Sequence, residues 1–285
     1  MAFVGCGNMG RAILEPLLDT VFPEAESSDE ASSSALVSKF IACTKSKASA
    51  EKLPELLGRH HSHVSISHGQ TLETMKAADV VVLGFKPYMA DDVLGAPGVR
   101  EALAGKLVIS LLAGTGAAKI RSIIVGDSTD TEAPYVVKAA PNVAARFRQS
   151  MTLLETPDVP LPQHYTDIVE WIFLQIGKIK YLPLEQMNAG AMLMTASLAA
   201  MSIPLEGLLD GSVVEGLKRQ DAMEIAIQGL RGFTEVLDKG THPAVMRESI
   251  SSPRGCTIQT ILTVEKASTR AVFAQAMIDG SRHFK

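Results

Sequence analysis

The sequence predicts an α/β protein in two parts: a doubly wound parallel sheet, then an all-helical domain. Three observations carry this. From Met1 to about Leu154, short and nearly continuous apolar runs alternate with helix-period segments, the pattern of a parallel sheet covered on both faces. After that, strand-like runs disappear and helix-period apolar residues continue to the end. The first apolar run, Ala2-Phe3-Val4, passes directly into Gly5-Cys6-Gly7-Asn8-Met9-Gly10 and then a helical pattern. The sheet domain is therefore assigned to residues 1–154 and the helical domain to residues 155–285.

Bulk properties narrow the function. A length of 285 residues suits two domains, and 46% hydrophobic residues are enough for substantial cores. A net charge of −4 argues against a nucleic-acid binder and for a small-molecule protein. Cys6, Cys43 and Cys256 are far apart and lack metal-ligand spacing, so no metal site is expected and a reducing compartment is. The first strand begins at the second residue, which leaves no room for a signal or transit peptide. No apolar run is read as approaching the ~20 residues that span a bilayer. The expectation is a cytoplasmic protein with no membrane partner.

The glycine-rich stretch fits GxGxxG after a strand and before a helix, the context that dinucleotide binding needs. Gly5 makes the tight turn, Gly7 admits a pyrophosphate and Gly10 lets the helix pack close. The free N–H groups of the helix then face the phosphates. The acidic, serine-rich segment Glu24–Ala35 reads as a solvated insertion. Phe40–Cys43 is the second strand. A carboxylate often stands ~20 residues past the glycines, where it holds a ribose 2′-hydroxyl. Here Thr44-Lys45-Ser46-Lys47 stands at the end of the strand, which suits a 2′-phosphate and favours NADPH, with NADH possible. The alternative is that both lysines decorate an exposed helix start.

His60, His61 and His63 read as a solvated loop before the strand Val64–Ser67. A helix over Thr71–Ala78 leads to the buried strand Asp79–Gly84. Its carboxyl end, Phe85-Lys86-Pro87, lies where ligands sit in open α/β sheets. A helical region over Ala90–Ala104 is interrupted near Gly95–Gly98. The fifth strand, Leu107–Leu112, ends in the small residues Ala113-Gly114-Thr115. A helix through Lys119–Ile123, the strand Tyr135–Ala139 and the turn Ala140-Pro141-Asn142 complete the sheet.

In the second part, His164–Ile176 is amphipathic. Gln186–Glu215 is apolar nearly all round, with Pro204 expected to kink or break it. An all-round apolar helix must be buried, and in so small a domain that points to a partner subunit and a homodimer. Helices over Asp221–Leu237, Ala244–Ile250, Ile258–Lys266 and Ser268–Phe284 follow, with a loop at Ser251–Thr257.

Taken together, Gly5–Gly10, Phe85-Lys86-Pro87, Ile109-Ser110 with Ala113-Gly114, Pro141-Asn142 and Ser251-Ser252-Pro253 with Gly255-Cys256-Thr257-Ile258 resemble the pyrroline-5-carboxylate reductases, and the acidic insertion with the Leu205–Gly211 run looks most like fungal members. The resemblance covers essentially the whole chain. It implies a Rossmann domain, a helical domain that interlocks with a second subunit, and NAD(P)H-dependent reduction of a cyclic imine. It implies Asn8 and Met9 at the pyrophosphate, and Thr44, Lys45 and Ser46 at the 2′-phosphate. Lys86 and Pro87 would line the ribose, and Ala113 and Asn142 the nicotinamide. Ser252 and the backbone at Gly255 and Cys256 would hold the substrate carboxylate, with the Thr257 hydroxyl at the ring nitrogen.

Two departures bear on the substrate. Arg254 replaces a glycine of the family loop, either as a second carboxylate anchor or as a solvated charge. Met194-Thr195-Ala196-Ser197-Leu198 replaces a glycine-rich helix start and is bulkier and more regularly helical. Two other readings therefore stand beside proline formation: reduction of a different cyclic imine, and NADPH binding without catalysis. A β-hydroxyacid dehydrogenase would need a lysine on the linking helix, and Gln186–Ala200 has none. Glu185 matches a family glutamate and reads as a capping or pairing residue.

Overall fold

The computed structural model describes residues 1–24, 35–126, 132–157 and 159–283. The insertion Glu24–Ala35 thus lies, but for its two ends, outside the described residues. The chain divides into two compact units, Met1–Ala191 and Met192–Lys285.

The first unit holds an eight-stranded sheet of order β3-β2-β1-β4-β5-β6-β7-β8. Its strands are β1 (Ala2–Val4), β2 (Phe40–Thr44), β3 (Val64–His68), β4 (Val80–Leu83), β5 (Leu107–Ser110), β6 (Tyr135–Ala140), β7 (Ser150–Glu155) and β8 (Gly177–Leu182). The first six run parallel, as the apolar runs predict. β7 is antiparallel to β6, and β8 is parallel to β7. The helices are α1 (Asn8–Val21), α2 (Lys47–Leu57), α3 (Thr71–Lys76), α4 (Ala90–Leu94), α5 (Val99–Leu103), α6 (Ala117–Val125), α7 (Gln163–Leu174) and α8 (Leu184–Ala199).

Strand alternation sorts the core into two layers. Phe3, Val80 and Val82 pack with Leu14, Leu17 and Phe173 on the α1 and α7 face. Ala2, Val4, Val81 and Leu83 pack with Met75, Leu94, Leu103 and Ile120 on the face of α3 to α6. Each of these side chains larger than alanine contributes about 1.5–3 kcal/mol by leaving water, so the sheet is stabilised from both sides.

Several expectations are corrected. Strand character does not end near Leu154: α7 and β8 follow β7 within the first unit. β8, Gly-Lys-Ile-Lys-Tyr-Leu, alternates exposed and half-buried residues because it is the sheet edge, so it lacks the apolar run of the central strands. The histidine segment is a short 3₁₀ turn and not a loop; His61 and His63 are exposed as expected, but His60 is not. His60 is buried, with Nε2 2.8 Å from the Asp19 carboxylate, and the His63 ring stacks on Phe22 at 3.9 Å. Arg59 also pairs with Asp19, so these side chains clamp the end of α1. Burial alone would raise the Asp19 carboxyl, but the hydrogen bonds from Arg59 and His60 hold it below its ordinary value.

The second unit continues from α8 through α9 (Ser202–Val214), α10 (Arg219–Asp238), α11 (Pro243–Ser249), α12 (Cys256–Lys266) and α13 (Thr269–Arg282). The expected break falls at Ala200-Met201, ahead of Pro204, which sits in the first turn of α9 where its missing N–H costs nothing. The expectation of no membrane-length apolar run is also corrected. Leu184–Val214 is long and apolar enough to span a bilayer by length and composition, although Glu185, Glu206 and Asp210 interrupt it.

Candidate active site

In the first unit, the glycine loop is built by close backbone approach. Gly5 has φ +88°, and a Cβ there would lie 2.6 Å from the Phe85 nitrogen. The Gly5 N–H donates to Cys43 O at 2.9 Å, and the Gly84 N–H donates to Val4 O at 2.8 Å. These bonds draw the ends of β1, β2 and β4 together. Gly7 is the N-cap of α1, and no side chain caps that helix or places a carboxylate in its first turn. A Cβ on Gly7 would meet nothing within 4 Å. The positive end of a 14-residue helix thus opens onto clear space, which fits the pyrophosphate of a dinucleotide. A cavity of about 300 Å³ beside the loop is lined by Asn8, Met9, Arg11, Glu15, Val143 and Arg146.

The other expected cofactor residues sit at the carboxyl ends of the strands. Thr44 closes β2, and its hydroxyl donates to Ser46 O at 2.9 Å. Ser46 caps α2 through the Ser49 N–H, while Lys45 is exposed. Among the described residues, no carboxylate stands at Thr44–Lys47, and Lys47 pairs with Glu51 one turn on. Lys86 and Pro87 follow β4 as an exposed turn. Ala113 is exposed after β5. Asn142 follows β6, where its N–H donates to Ser150 Oγ and its side-chain oxygen accepts from the Ala144 N–H, both at 3.1 Å.

Two residues escaped the sequence reading. Lys138 on β6 and Glu155 on β7 are both buried, at 6% exposure. The antiparallel register pairs Ala139 with Leu154, so Lys138 and Glu155 occupy the next opposed positions. The Lys138 ammonium donates to Leu112 O. Glu155 accepts the N–H of Ala117, the first residue of α6, at 3.1 Å. Burial pulls the Lys138 ammonium down to about 8, against the opposing effect of Glu155. The available signal was a single charge inside each of two apolar runs, but only the antiparallel pairing shows that they meet. A cavity of about 280 Å³ is lined by Gly114, Thr115, Lys138, Glu155, Glu185 and Asn188. Glu185 lies in the first turn of α8, at the positive end of the helix dipole.

In the second unit, Ser252 to Thr257 forms one compact loop. The Gly255 N–H donates to Ser252 O at 3.0 Å, and a Cβ on Gly255 would lie 2.5 Å from Ser252 Oγ. Gly255 is the N-cap of α12, so Cys256 and Thr257 open that helix; Thr257 is half-buried and Ser252 exposed. Arg254 has φ +63°, in the left-handed region. That explains the glycine of the resembling loop and costs the arginine about 1 kcal/mol or more. Met194–Leu198 lies within the continuous helix α8, as expected of its sequence. Among the described residues no cluster of metal-ligating side chains forms.

Comparison with known proteins agrees with this architecture. The family described as pyrroline-5-carboxylate reductase dimerisation matches residues 185–285. The family described as NADP oxidoreductase, coenzyme F420-dependent, matches residues 1–114. A pyrroline-5-carboxylate reductase of Lophium arboricola is 36% identical, covering 97% of this chain and 89% of its own. That of Neurospora crassa is 35% identical over the same shares. Among solved structures, the pyrroline carboxylate reductase of Plasmodium falciparum with NADP bound has a TM-score of 0.78 at 20% identity, covering 100% of this chain and 96% of its own. That likeness shows the fold. On the identity with the fungal enzymes over nearly its whole length, the chain belongs to the pyrroline-5-carboxylate reductase family.

Proposed function

We propose that the protein reduces the C=N bond of 1-pyrroline-5-carboxylate to L-proline with NADPH. The observation that carries this is the uncapped, open N-terminus of α1 at Gly7, in a chain whose fungal relatives are named for that reaction. NADPH, when bound, supplies a hydride. The backbone from Gly5 to Gly10 holds the pyrophosphate, with Asn8 and Met9 nearest it. Thr44, Lys45 and Ser46 hold the 2′-phosphate; Lys45 and Ser46 are exposed, and the absence of a carboxylate in this segment supports NADPH over NADH. Lys86 and Pro87 flank the ribose, and Ala113 and Asn142 the nicotinamide.

Ser252 and the N–H groups at Gly255 and Cys256 hold the substrate carboxylate at the start of α12. The Thr257 hydroxyl contacts the ring nitrogen. That nitrogen enters as an iminium and keeps its proton while the carbon gains the hydride, so no strong general acid is required. The work of the chain is positioning. The active species is a homodimer of the cytoplasm, with no nucleic-acid or membrane partner. The carboxylates within Leu184–Val214 would be costly in lipid, and the family match over that stretch is a dimerisation domain.

One observation favours a second reading. Met194–Leu198 is regular helix and Arg254 occupies a glycine conformation, so the pocket could serve a different cyclic imine. The deciding experiment follows NADPH oxidation with 1-pyrroline-5-carboxylate, with NADH and with unsubstituted 1-pyrroline run beside it. Turnover of the carboxylated imine with NADPH preferred is the expected result. Turnover of 1-pyrroline alone supports the second reading. NADPH binding without turnover of either imine overturns both.

A further inference from the structure

Two opposite charges are buried where strands β6 and β7 meet, and each holds one end of the same turn. Lys138 donates to the carbonyl of Leu112, the last buried residue before the turn. Glu155 accepts from the N–H of Ala117, the first residue after it. Between them lie Ala113, Gly114, Thr115 and Gly116, with Ala113 and Gly114 exposed and Gly114 at φ +70°. A Cβ on Gly114 would meet nothing within 4 Å, so side-chain packing does not hold the crest of this turn.

A buried ion pair is weak evidence for stability, because desolvation offsets most of the attraction. A pair that only stabilised the sheet could be replaced by two apolar residues. What this pair does that apolar residues cannot is bind two backbone groups flanking an exposed turn. Resting on the reading above, which sets Ala113 against the nicotinamide, we propose that Lys138 and Glu155 are positioning residues that fix the Ala113–Gly116 turn for the nicotinamide ring.

Charge state matters to this grip. The charged groups lining the adjoining cavity are Lys138 on β6, Glu155 on β7 and Glu185 on α8. The Lys138 ammonium donates to Leu112 O, and the Glu155 carboxyl group accepts from the N–H at the start of α6. With the Lys138 value lowered to about 8, raising the pH through that value neutralises the amine and weakens its charge-assisted bond to Leu112 O. The hold on the turn should therefore loosen in mildly alkaline solution, and nicotinamide affinity should fall there.

The test compares NADPH with 2′-phospho-ADP-ribose, which lacks the nicotinamide, by titration calorimetry on the full-length protein. The proteins are wild type, Lys138→Met, Lys138→Arg and Glu155→Gln. Lys138→Met and Glu155→Gln should weaken NADPH about tenfold, equivalent to 1.4 kcal/mol, and leave 2′-phospho-ADP-ribose within about twofold. Lys138→Arg should restore NADPH binding and abolish the fall in wild-type affinity as pH rises through about 8. Should Lys138→Met fail to fold, the arginine and glutamine variants decide the matter alone. Equal losses for both ligands, or an unchanged NADPH pH profile in Lys138→Arg, would overturn the proposal. Wild-type turnover of 1-pyrroline-5-carboxylate, measured in parallel, tests the proposed reaction separately, since the binding comparison needs no imine.

Discussion

The two units of this chain solve the problem of burying apolar surface in opposite ways. In Met1–Ala191, strands and helices cover each other, and Phe3, Leu14, Leu83, Leu107 and Phe173 are all withdrawn from solvent. In Met192–Lys285, only Leu209 and Ala222 are buried apolar residues among those described. Ile203 and Ile225, by contrast, are 71% and 62% exposed. A monomeric soluble protein rarely shows so much apolar surface. The first unit buries its apolar surface within one chain, whereas the helices of the second leave theirs exposed, and the family match over them is a dimerisation domain. The same helical content can therefore mean a finished core or half of one.

The sharpest way to break that contrast is to charge the exposed helices. Ile203→Asp in α9 or Ile225→Asp in α10 should dissociate the dimer at micromolar concentration and lower activity about 100-fold or more, because a carboxylate would be desolvated at the interface. Light scattering with a parallel assay reads both. A variant that stays dimeric and fully active would show that these faces meet solvent after all.

Within the first unit, two glycines that stand two residues apart should respond differently. Gly5→Ala should cost about 3 kcal/mol of stability, from its positive φ and the clash with Phe85. Gly7→Ala should leave the denaturation midpoint nearly unchanged while weakening NADPH. Equal stability losses in urea titrations would remove the reading of Gly7 as an open cradle.

Thr257→Val probes the second unit in the opposite manner. It should lower kcat about 30-fold, the usual worth of a hydrogen bond to a charged group, and spare NADPH affinity. A large loss of NADPH binding would contradict its placement at the substrate nitrogen. The smallest effect belongs to Lys45→Ala. It should weaken NADPH about tenfold and NADH hardly at all, by fluorescence titration. An equal change for both cofactors would return Lys45 to the role of an exposed helix-start residue.

Much of the site was legible because its chemistry is local. GxGxxG, the Thr44–Ser46 segment and the Ser252–Thr257 loop are contiguous, and the spacing within each stretch already restricts what its backbone can do. Among the six parallel strands, β1, β4 and β5 were legible because each is buried on both faces. β8 was not, since its alternating edge pattern lacks a continuous apolar run, and its pairing with β7 joins segments separated by α7. His60 was misjudged because its partner, Asp19, lies about forty residues earlier.

By itself the sequence determined the family, the glycine turn after β1, a cationic rather than acidic segment at the end of β2, and a helical half apolar nearly all round. These follow from residue type and short-range spacing. Only the tertiary structure decided that Lys138 and Glu155 face each other, that Arg254 takes a left-handed conformation, and that the first unit runs on to Ala191. Each of these depends on strand register or on a backbone angle, and neither is written in the identity of a single residue.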